Sequence, residues 1–285
     1  MISLIVPAYN EAASIKQTIE KIRQVMDHSQ QTYELLVVDD GSTDETAQLA
    51  DQCGVRVIRQ PVNSGYGNAL KTGLQHAQYD WCAIVDADES YPLDQFPDLF
   101  KYIPAFDMVV GARTGANYWG SWGKRIARKL LLLMIEFVLG RQIPDANSGM
   151  RVFRKEVALA HSKRISSGFS FTTTITLAFF LEGYFVKYVP IAYLARTGKS
   201  KVKIWSDSLR TFQMLVQAIL YYNPLKLFLM LCICLSCIGT LAGLLSCLLV
   251  NAGIGMFIFF FTFLFTFVVG AIGLLVEANR LYINK

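Results

Sequence analysis

Short apolar runs alternate with longer amphipathic segments in the N-terminal part of the chain. Helical segments of about a dozen residues lie between the first four runs. Such alternation predicts an α/β fold with a Rossmann-like, largely parallel sheet that helices cover on both faces. The runs, each with a β-branched core, are SLIVPAY at 3–9, ELLVVDD at 34–40, VRVIRQ at 55–60, CAIVDAD at 82–88 and DMVVGAR at 107–113.

The C-terminal part is apolar over a much longer distance. From Leu227 to Val276 no Asp, Glu, Lys, Arg or His occurs, and a short uncharged turn around Asn251 divides the run. A membrane-spanning helix needs about 20 apolar residues. We therefore predict a transmembrane hairpin with helices at 225–250 and 254–277, and two core helices are the less favoured alternative.

Two further helices have the pattern of membrane-surface helices. We assign 1–203 to the α/β domain and 204–224 to a juxtamembrane helix, since apolar residues recur there at helical spacing. Within the domain, residues 119–141 join two Trp and a basic cluster to an apolar stripe, which is typical of a helix at a lipid interface. An amphipathic helix packed on the domain is the alternative for both.

Composition and charge agree with a membrane protein. Hydrophobic residues make up 53% of the chain, which is high for a soluble enzyme. Lys226 lies at the start of the first span, just before the charge-free run, and Arg280 and Lys285 follow the second span. Both termini and the α/β domain are therefore predicted to be cytoplasmic, at the cell membrane. No signal peptide is expected at the N-terminus. The six cysteines predict reduced thiols and no zinc site, and no basic-aromatic pattern indicates a nucleic-acid partner.

Polar residues follow the predicted strands at one edge of the sheet. The carboxyl ends of parallel strands are where ligands bind in such folds. An Asp-x-Asp pair offers hard oxygen ligands for Mg²⁺ or Mn²⁺ bridging a diphosphate, although Asp also commonly begins a turn. The strand ends read Asn10-Glu11, Asp39-Asp40, Asp86-Ala87-Asp88 and Gly111-Ala112-Arg113.

Six motifs occur in an order that resembles family 2 glycosyltransferases of the GT-A fold. In particular the chain resembles polyprenyl-phosphate glycosyltransferases of the dolichyl-phosphate mannose synthase type, including bacterial members with a two-span anchor. The motifs are VPAYNE at 6–11, DDGSTD at 39–44, GYGNALKTG at 65–73, DAD at 86–88, GAR at 111–113 and DANSGMRVF at 145–153.

The resemblance implies a site for a nucleotide-sugar and a divalent metal, Mg²⁺ or Mn²⁺. Asp86 is expected to contact the nucleotide and Asp88 the metal. The family's Gln two residues after the second Asp is Ser90 here, so the third metal ligand stays open. Either Glu89 replaces the Gln, or Ser90 reaches the cation through water, or the cation is held more loosely. The expected substrate-binding positions are Pro7, Tyr9, Glu11, Asp39, Asp40, Lys71, Ala87, Asp145, Ser148, Arg151 and Ser200.

The DDGSTD and GYGNALKTG motifs also have purely structural interpretations. Ser42 or Thr43 can cap the helix that follows. Lys71 is either a phosphate ligand or a solvated helix residue.

The acceptor requires cations. A lipid monophosphate is already anionic at pH 7, so it can attack a sugar without a general base, and the enzyme must instead neutralise phosphate groups. RTGKSK at 196–201 resembles the family's Arg-x-x-Gly-x-Ser-Lys segment but is one residue shorter, which leaves the register of Arg196 open. The residues expected to take part in catalysis are Asp86, Asp88, Arg113, Arg125, Arg196 and Lys201. For Arg128, Lys129 and Lys199, binding of anionic lipid headgroups is the alternative to catalysis.

These features predict a membrane-anchored inverting glycosyltransferase. It would move one sugar from a UDP- or GDP-hexose to undecaprenyl or dolichyl phosphate. A processive polysaccharide synthase is less favoured because the chain lacks a Gln-x-x-Arg-Trp motif, and a non-catalytic membrane scaffold is the third alternative. Small residues in the first span, including Gly239 and Gly243, leave a homo-oligomer open.

Overall fold

The computed structural model describes residues 1–195 and 204–283 of the chain. They form two compact units, Met1–Met214 and Leu215–Lys285.

A seven-stranded sheet forms the centre of the first unit. Its order is β3-β2-β1-β4-β6-β5-β7, and every strand except β6 runs in the same direction. The mostly parallel α/β sheet predicted from the sequence is confirmed, with β6 and β7 added to the five predicted strands. The strands are β1 Ile2–Ala8, β2 Tyr33–Asp39, β3 Arg56–Arg59, β4 Trp81–Ile84, β5 Met108–Thr114, β6 Arg151–Arg154 and β7 Val186–Ala192.

Helices cover both faces of this sheet. Leu4 and Val6 of β1 pack in a buried cluster with the first helix, and Ile5 packs on the other face with the third. Burial on both faces explains why the strands read as continuous apolar runs. The helices are α1 Ile15–His28, α2 Thr46–Gln52, α3 Tyr66–His76, α4 Phe96–Phe100, α5 Ala116–Trp119, α6 Trp122–Leu139, α7 Lys155–Ala160 and α8 Phe171–Leu181.

The reversed strand β6 determines what meets at the carboxyl edge of the sheet. It begins at Arg151, which pairs with Ile84 of β4 and Val110 of β5. Because β6 starts where its neighbours end, the preceding residues 145–150 lie beside the carboxyl ends of β4 and β5.

Three helices complete the chain. They are α9 Ile204–Tyr222, α10 Pro224–Leu249 and α11 Ala252–Ile283. Both α10 and α11 are long and apolar enough to cross a membrane, which agrees with the predicted two-span hairpin. The side chain of Asn223 caps α10 by accepting from the backbone N–H of Lys226 at 3.1 Å. The juxtamembrane position of α9 stays a prediction.

Candidate active site

The loops after β1 and β2 are joined by reciprocal hydrogen bonds. The backbone N–H of Asn10 donates to Ser42 Oγ at 2.9 Å, and the N–H of Thr43 donates to Asn10 Oδ1 at 2.8 Å. The structural interpretation of Ser42 and Thr43 is therefore wrong in detail, because α2 begins only at Thr46 and neither residue caps it. They instead bind Asn10, which lies between the predicted substrate-binding residues Tyr9 and Glu11.

Asp40 anchors the segment that leads into α3. Its carboxylate is buried and accepts from the backbone N–H groups of Ser64 and Gly65 at 2.8 and 2.9 Å. Asp39, also buried, receives longer bonds of 3.3 and 3.4 Å from the N–H of Ser42. By holding Gly65, Asp40 positions Tyr66, the residue that follows Gly65.

Asp86 lies between an aromatic hydroxyl and a glycine backbone. Tyr66 donates its hydroxyl to Asp86 Oδ1 at 2.8 Å. A Cβ at Gly149 would lie 2.6 Å from Asp86 Oδ2, so any other residue there would displace the carboxylate. The N–H of Gly149 in turn donates to the hydroxyl of buried Tyr91 at 2.6 Å. Loop 145–150 therefore helps to fix the orientation of Asp86.

Asp88, the predicted metal ligand, is held in a fixed orientation by Ser90. It is buried, and its Oδ1 accepts from the N–H and the hydroxyl of Ser90 at 3.1 and 2.5 Å. Ser90 thus orients Asp88. Glu89 has a left-handed backbone, with φ at 59°. Within the described ranges, no three His, Cys, Asp or Glu side chains converge into a full cage. A cation that bridges a diphosphate needs only one or two carboxylates, so these residues fit such an ion.

Arg113 is bound by Asp145 through two parallel hydrogen bonds. Arg113 Nε lies 2.8 Å from Asp145 Oδ2, and Nη2 lies 2.9 Å from Oδ1. Burial raises the pKa of Asp145, but the charge of Arg113 and hydrogen bonds from it and from Asn147 outweigh burial and lower the pKa overall. The charge of this predicted phosphate ligand is thus compensated within the protein.

Arg128, on α6, lies in the same cluster. Its guanidinium carbon lies 4.6 Å from the ring centroid of Tyr118, and that of Arg113 lies 5.0 Å from the same ring and 5.3 Å from Tyr193. Arg128 Nη1 is buried and has no hydrogen-bond partner among the residues that the structure describes. Arg125, the predicted catalytic cation three residues earlier, is exposed. The fold therefore brings Arg128, and not Arg125, beside Arg113.

Arg151 has a structural position. It is fully buried, and its guanidinium donates to the carbonyls of Ser148 and Thr172 at 2.9 and 3.1 Å and to the hydroxyl of Thr176 at 3.0 Å. Its donors are used inside the protein, which favours a structural role, and binding of substrate by Arg151 stays a prediction. Ser148 is likewise buried, and its Oγ accepts from the N–H of Met150 at 3.3 Å.

Comparison with known proteins decides the family. The family model for glycosyl transferase family 2 matches residues 3–160. The chain belongs to glycosyl transferase family 2. The predicted resemblance to this family is thereby confirmed.

The curated relatives of this glycosyltransferase include proteins named for lipid phosphates. The low-salt glycan biosynthesis hexosyltransferase Agl6 of Haloferax volcanii is 31% identical over 224 residues, which are 76% of this chain and 54% of that protein. The undecaprenyl-phosphate 4-deoxy-4-formamido-L-arabinose transferase of Serratia proteamaculans is 30% identical over 55% of this chain and 49% of its own length. The chain thus spans about half the length of these two relatives. The dolichyl-phosphate hexose transferase of Haloferax volcanii is 26% identical over 70% of this chain and 86% of its own length.

A solved structure has the same fold. Glucosyl-3-phosphoglycerate synthase from Mycobacterium tuberculosis, in complex with Mn²⁺, uridine diphosphate and phosphoglyceric acid, superposes with a TM-score of 0.63 at 23% identity. The match covers 76% of this chain and 78% of that one. This likeness confirms the predicted GT-A fold.

The structure also gives the positions of the remaining predicted substrate-binding residues of this glycosyltransferase. Pro7 is buried in β1, and Tyr9 and Glu11 lie half-buried just beyond it. The carbonyl of Ala87 accepts from Thr18 Oγ1 of α1 at 3.2 Å. Lys71 Nζ donates to Ser167 Oγ at 3.2 Å, and burial lowers its pKa. Direct substrate contacts of these residues stay predictions. Arg196, Lys199, Ser200 and Lys201 lie outside the described residues.

Sequence reasoning missed the aromatic part of the site. Tyr66, Tyr91, Tyr118 and Tyr193 all contact predicted site residues or the loops that carry them. Tyr66 lies inside the GYGNALKTG motif, and Tyr118 lies five positions after the end of the GAR motif. Their proximity to the acidic and basic motifs is the signal that was available.

Proposed function

We propose that this glycosyltransferase transfers one hexose-type sugar, with inversion, from a UDP- or GDP-sugar to a polyprenyl phosphate at the cytoplasmic face of the membrane. The observation that carries the proposal is that Arg113 and Arg128 both lie over the ring of Tyr118, beside a carboxylate that Arg113 already neutralises. Two cations whose neighbouring carboxylate, Asp145, is already engaged by Arg113 suit an anionic acceptor. The lipid phosphates in the names of two relatives, and two apolar helices, support the same acceptor class.

The donor half of the site consists of the carboxylates at the ends of β1, β2 and β4. Asp88, oriented by Ser90, is the residue that would hold a Mg²⁺ or Mn²⁺ ion, with Glu89 as a further candidate. When bound, such an ion neutralises the charge that builds up on the departing diphosphate. Asp86, fixed by Tyr66 and Gly149, faces the nucleotide in this proposal.

The acceptor half positions the attacking phosphate. An oxygen of the lipid phosphate forms a bond to the anomeric carbon while the bond from that carbon to the diphosphate breaks, and the electron pair leaves with the nucleoside diphosphate. The attacking oxygen carries no proton that must be removed. Arg113 and Arg128 reduce the repulsion between the two phosphate groups, which is an electrostatic contribution to catalysis.

The assay combines the purified full chain with labelled UDP- or GDP-sugars, Mg²⁺ or Mn²⁺, and undecaprenyl or dolichyl phosphate. We expect butanol-extractable labelled lipid carrying a single sugar. Asp88→Asn should abolish this product, whereas exchange of the exposed carboxylate in Asp94→Asn should leave it unchanged. Absence of labelled lipid with every donor would refute the proposal, and an oligosaccharide product would replace it with a processive synthase.

A further inference from the structure

Tyr118 lies between the two arginines Arg113 and Arg128. It is 4% exposed and lies on α5, between Arg113 at the end of β5 and Arg128 on α6. Both guanidinium carbons lie within 5.0 Å of the centroid of its ring. One aromatic ring thus contacts two like charges that come from different elements.

Two hydrogen bonds hold the segment that leads into Tyr118. Its neighbour Asn117 donates its side-chain amide to the carbonyl of Tyr193 at 3.2 Å, and Thr114 Oγ1 donates to the carbonyl of Ile191 at 2.8 Å. These bonds tie the segment that carries Tyr118 to the end of β7. The hydroxyl of Tyr118 itself makes no hydrogen bond to any residue in the described part of the chain.

Two guanidinium groups repel each other unless something attracts both. Among the residues that the structure describes, Asp145 forms an ion pair with Arg113 and with no other residue, so Arg113, Arg128 and Asp145 together carry one excess positive charge. Burial, and then the charge of Arg113, lower the pKa of Arg128. The negative face of an aromatic ring attracts a cation that lies over it. Tyr118 thus offsets the repulsion that would otherwise move the long Arg128 side chain away from Arg113.

We infer that Tyr118 is a positioning residue for the acceptor: its ring holds the guanidinium of Arg128 beside that of Arg113, where both receive a phosphate monoester. The inference rests on the proposed function and deepens it. It adds a residue that does not contact the phosphate itself but positions an arginine that does. The ring carries the effect, and the hydroxyl does not.

The test compares Tyr118→Phe, which keeps the ring, with Tyr118→Met, which keeps much of the volume but has no aromatic face. Loss of a buried cation–π contact should raise the KM for polyprenyl phosphate about tenfold in Tyr118→Met. Tyr118→Phe should keep the wild-type KM for polyprenyl phosphate. The KM for the sugar nucleotide should stay unchanged in both variants. A merely structural role would change both KM values together.

A double-mutant cycle tests whether Tyr118 acts through Arg128. In an Arg128→Met background, Tyr118→Met should add little, because the guanidinium that it positions is gone. The inference is overturned if Tyr118→Phe behaves like Tyr118→Met, or if the two losses multiply independently. Tyr118→Leu provides a second ring-free variant if Tyr118→Met does not fold, as judged by thermal unfolding.

A binding experiment separates this inference from the proposed function. Decyl phosphate, a short lipid phosphate, is titrated calorimetrically into the full chain and its two variants without donor. If it binds wild type and Tyr118→Phe but binds Tyr118→Met about tenfold more weakly, the inference stands even when no sugar transfer is found. If transfer occurs but Tyr118→Met binds normally, the proposed function stands and the inference fails.

Discussion

At the scale of single residues, the hydroxyl of Tyr66 fixes the orientation of Asp86. A hydrogen bond to a charged acceptor contributes about 1.5–3 kcal/mol, so we expect Tyr66→Phe to lower kcat/KM for the sugar nucleotide about tenfold or more. Steady-state kinetics at saturating acceptor measure this. Tyr188→Phe is the matched control, because the hydroxyl of Tyr188 is buried but has no hydrogen-bond partner within the described residues. Equal losses in the two variants would contradict the assignment.

Arg151 supports the loop that carries both Asp145 and Gly149. Its replacement by Met would leave the buried carbonyls of Ser148 and Thr172 without that donor. We expect Arg151→Met to lower the free energy of unfolding by at least about 2 kcal/mol, as measured by chemical denaturation in detergent.

The control for this substitution lies on the same strand. Arg154 forms a partly exposed ion pair with Asp107, and Arg154→Met should cost less than about 1 kcal/mol. A cost for Arg151→Met no greater than that for Arg154→Met would show that the buried guanidinium does not hold the loop.

The positions of the carboxylates were easier to predict from the sequence than those of the cations. Asp86 and Asp88 follow a strand, so the rule that ligands bind at the carboxyl edge located them without coordinates. Arg125 and Arg128 are three residues apart on one helix, and only the position of Tyr118 distinguishes them. Arg151 begins a strand whose direction no local pattern reveals, so its burial could not be predicted.

At the scale of elements, the glycines of α10 provide close packing within the hairpin. A Cβ at Gly239 would overlap the side chain of Thr262, and one at Gly243 would lie 2.9 Å from Phe259. Both glycines are thus used inside one chain, and the homo-oligomer stays a prediction.

Substitution by Ala tests this packing. Overpacking typically costs about 1–3 kcal/mol, so Gly239→Ala should lower the temperature of thermal unfolding in detergent. Gly270→Ala is the control, because its added Cβ would lie 3.7 Å from Cys232 Sγ, an ordinary contact distance. Similar unfolding temperatures for the two variants would refute tight packing at Gly239.

Helix α6 has an exposed apolar stripe that suits a lipid interface. Trp122 is 77% exposed, and Ile126, Leu130 and Leu133 follow it at helical spacing with 47%, 58% and 62% exposure. If α6 lies in the interface, brominated lipids in a nanodisc should quench the fluorescence of Trp122. Trp122→Phe should remove this quenched component. Trp81→Phe should leave it in place, because Trp81 lies at the amino end of the central strand β4. Persistence of the component in Trp122→Phe would show that Trp122 is not the residue in contact with the lipid.

The missed strands show where local pattern is insufficient. β6 has only four residues, and its reversed direction comes from its neighbours. β7 contains Pro190, which weakens a strand signal, yet β7 is at the sheet edge, where a missing N–H is tolerated. The longer β-branched runs and the apolar hairpin were predicted because their signals are local.

At the scale of the whole molecule, the distribution of charge predicts the membrane orientation. Asn251 lies in the turn between α10 and α11, so a cytoplasmic catalytic unit places it on the outer side. We expect Asn251→Cys to react with an impermeant maleimide in intact cells, above the background of the wild-type cysteines. Lys163→Cys, at an exposed site of the catalytic unit, should react only after permeabilisation. The opposite pattern would reverse the topology.

The identity of the donor lies beyond what the sequence specifies. Asp39, Asp40 and Asp86 suit features shared by all nucleotide-sugars, and no motif distinguishes one hexose from another. Family and fold follow from the order of motifs, whereas sugar specificity depends on side-chain positions that emerge only on folding.

The salt bridge between Asp145 and Arg113 has a consequence for loss of the activated donor to water. Hydrolysis is fast when a carboxylate accepts the proton of an attacking water molecule. Asp145 is a poor proton acceptor, because its pKa is lowered and both its oxygens bind Arg113. In the proposed reaction, Asp145 would therefore not activate water to hydrolyse the nucleotide-sugar. The enzyme would consume little of the cell's nucleotide-sugar while the concentration of the lipid acceptor is low.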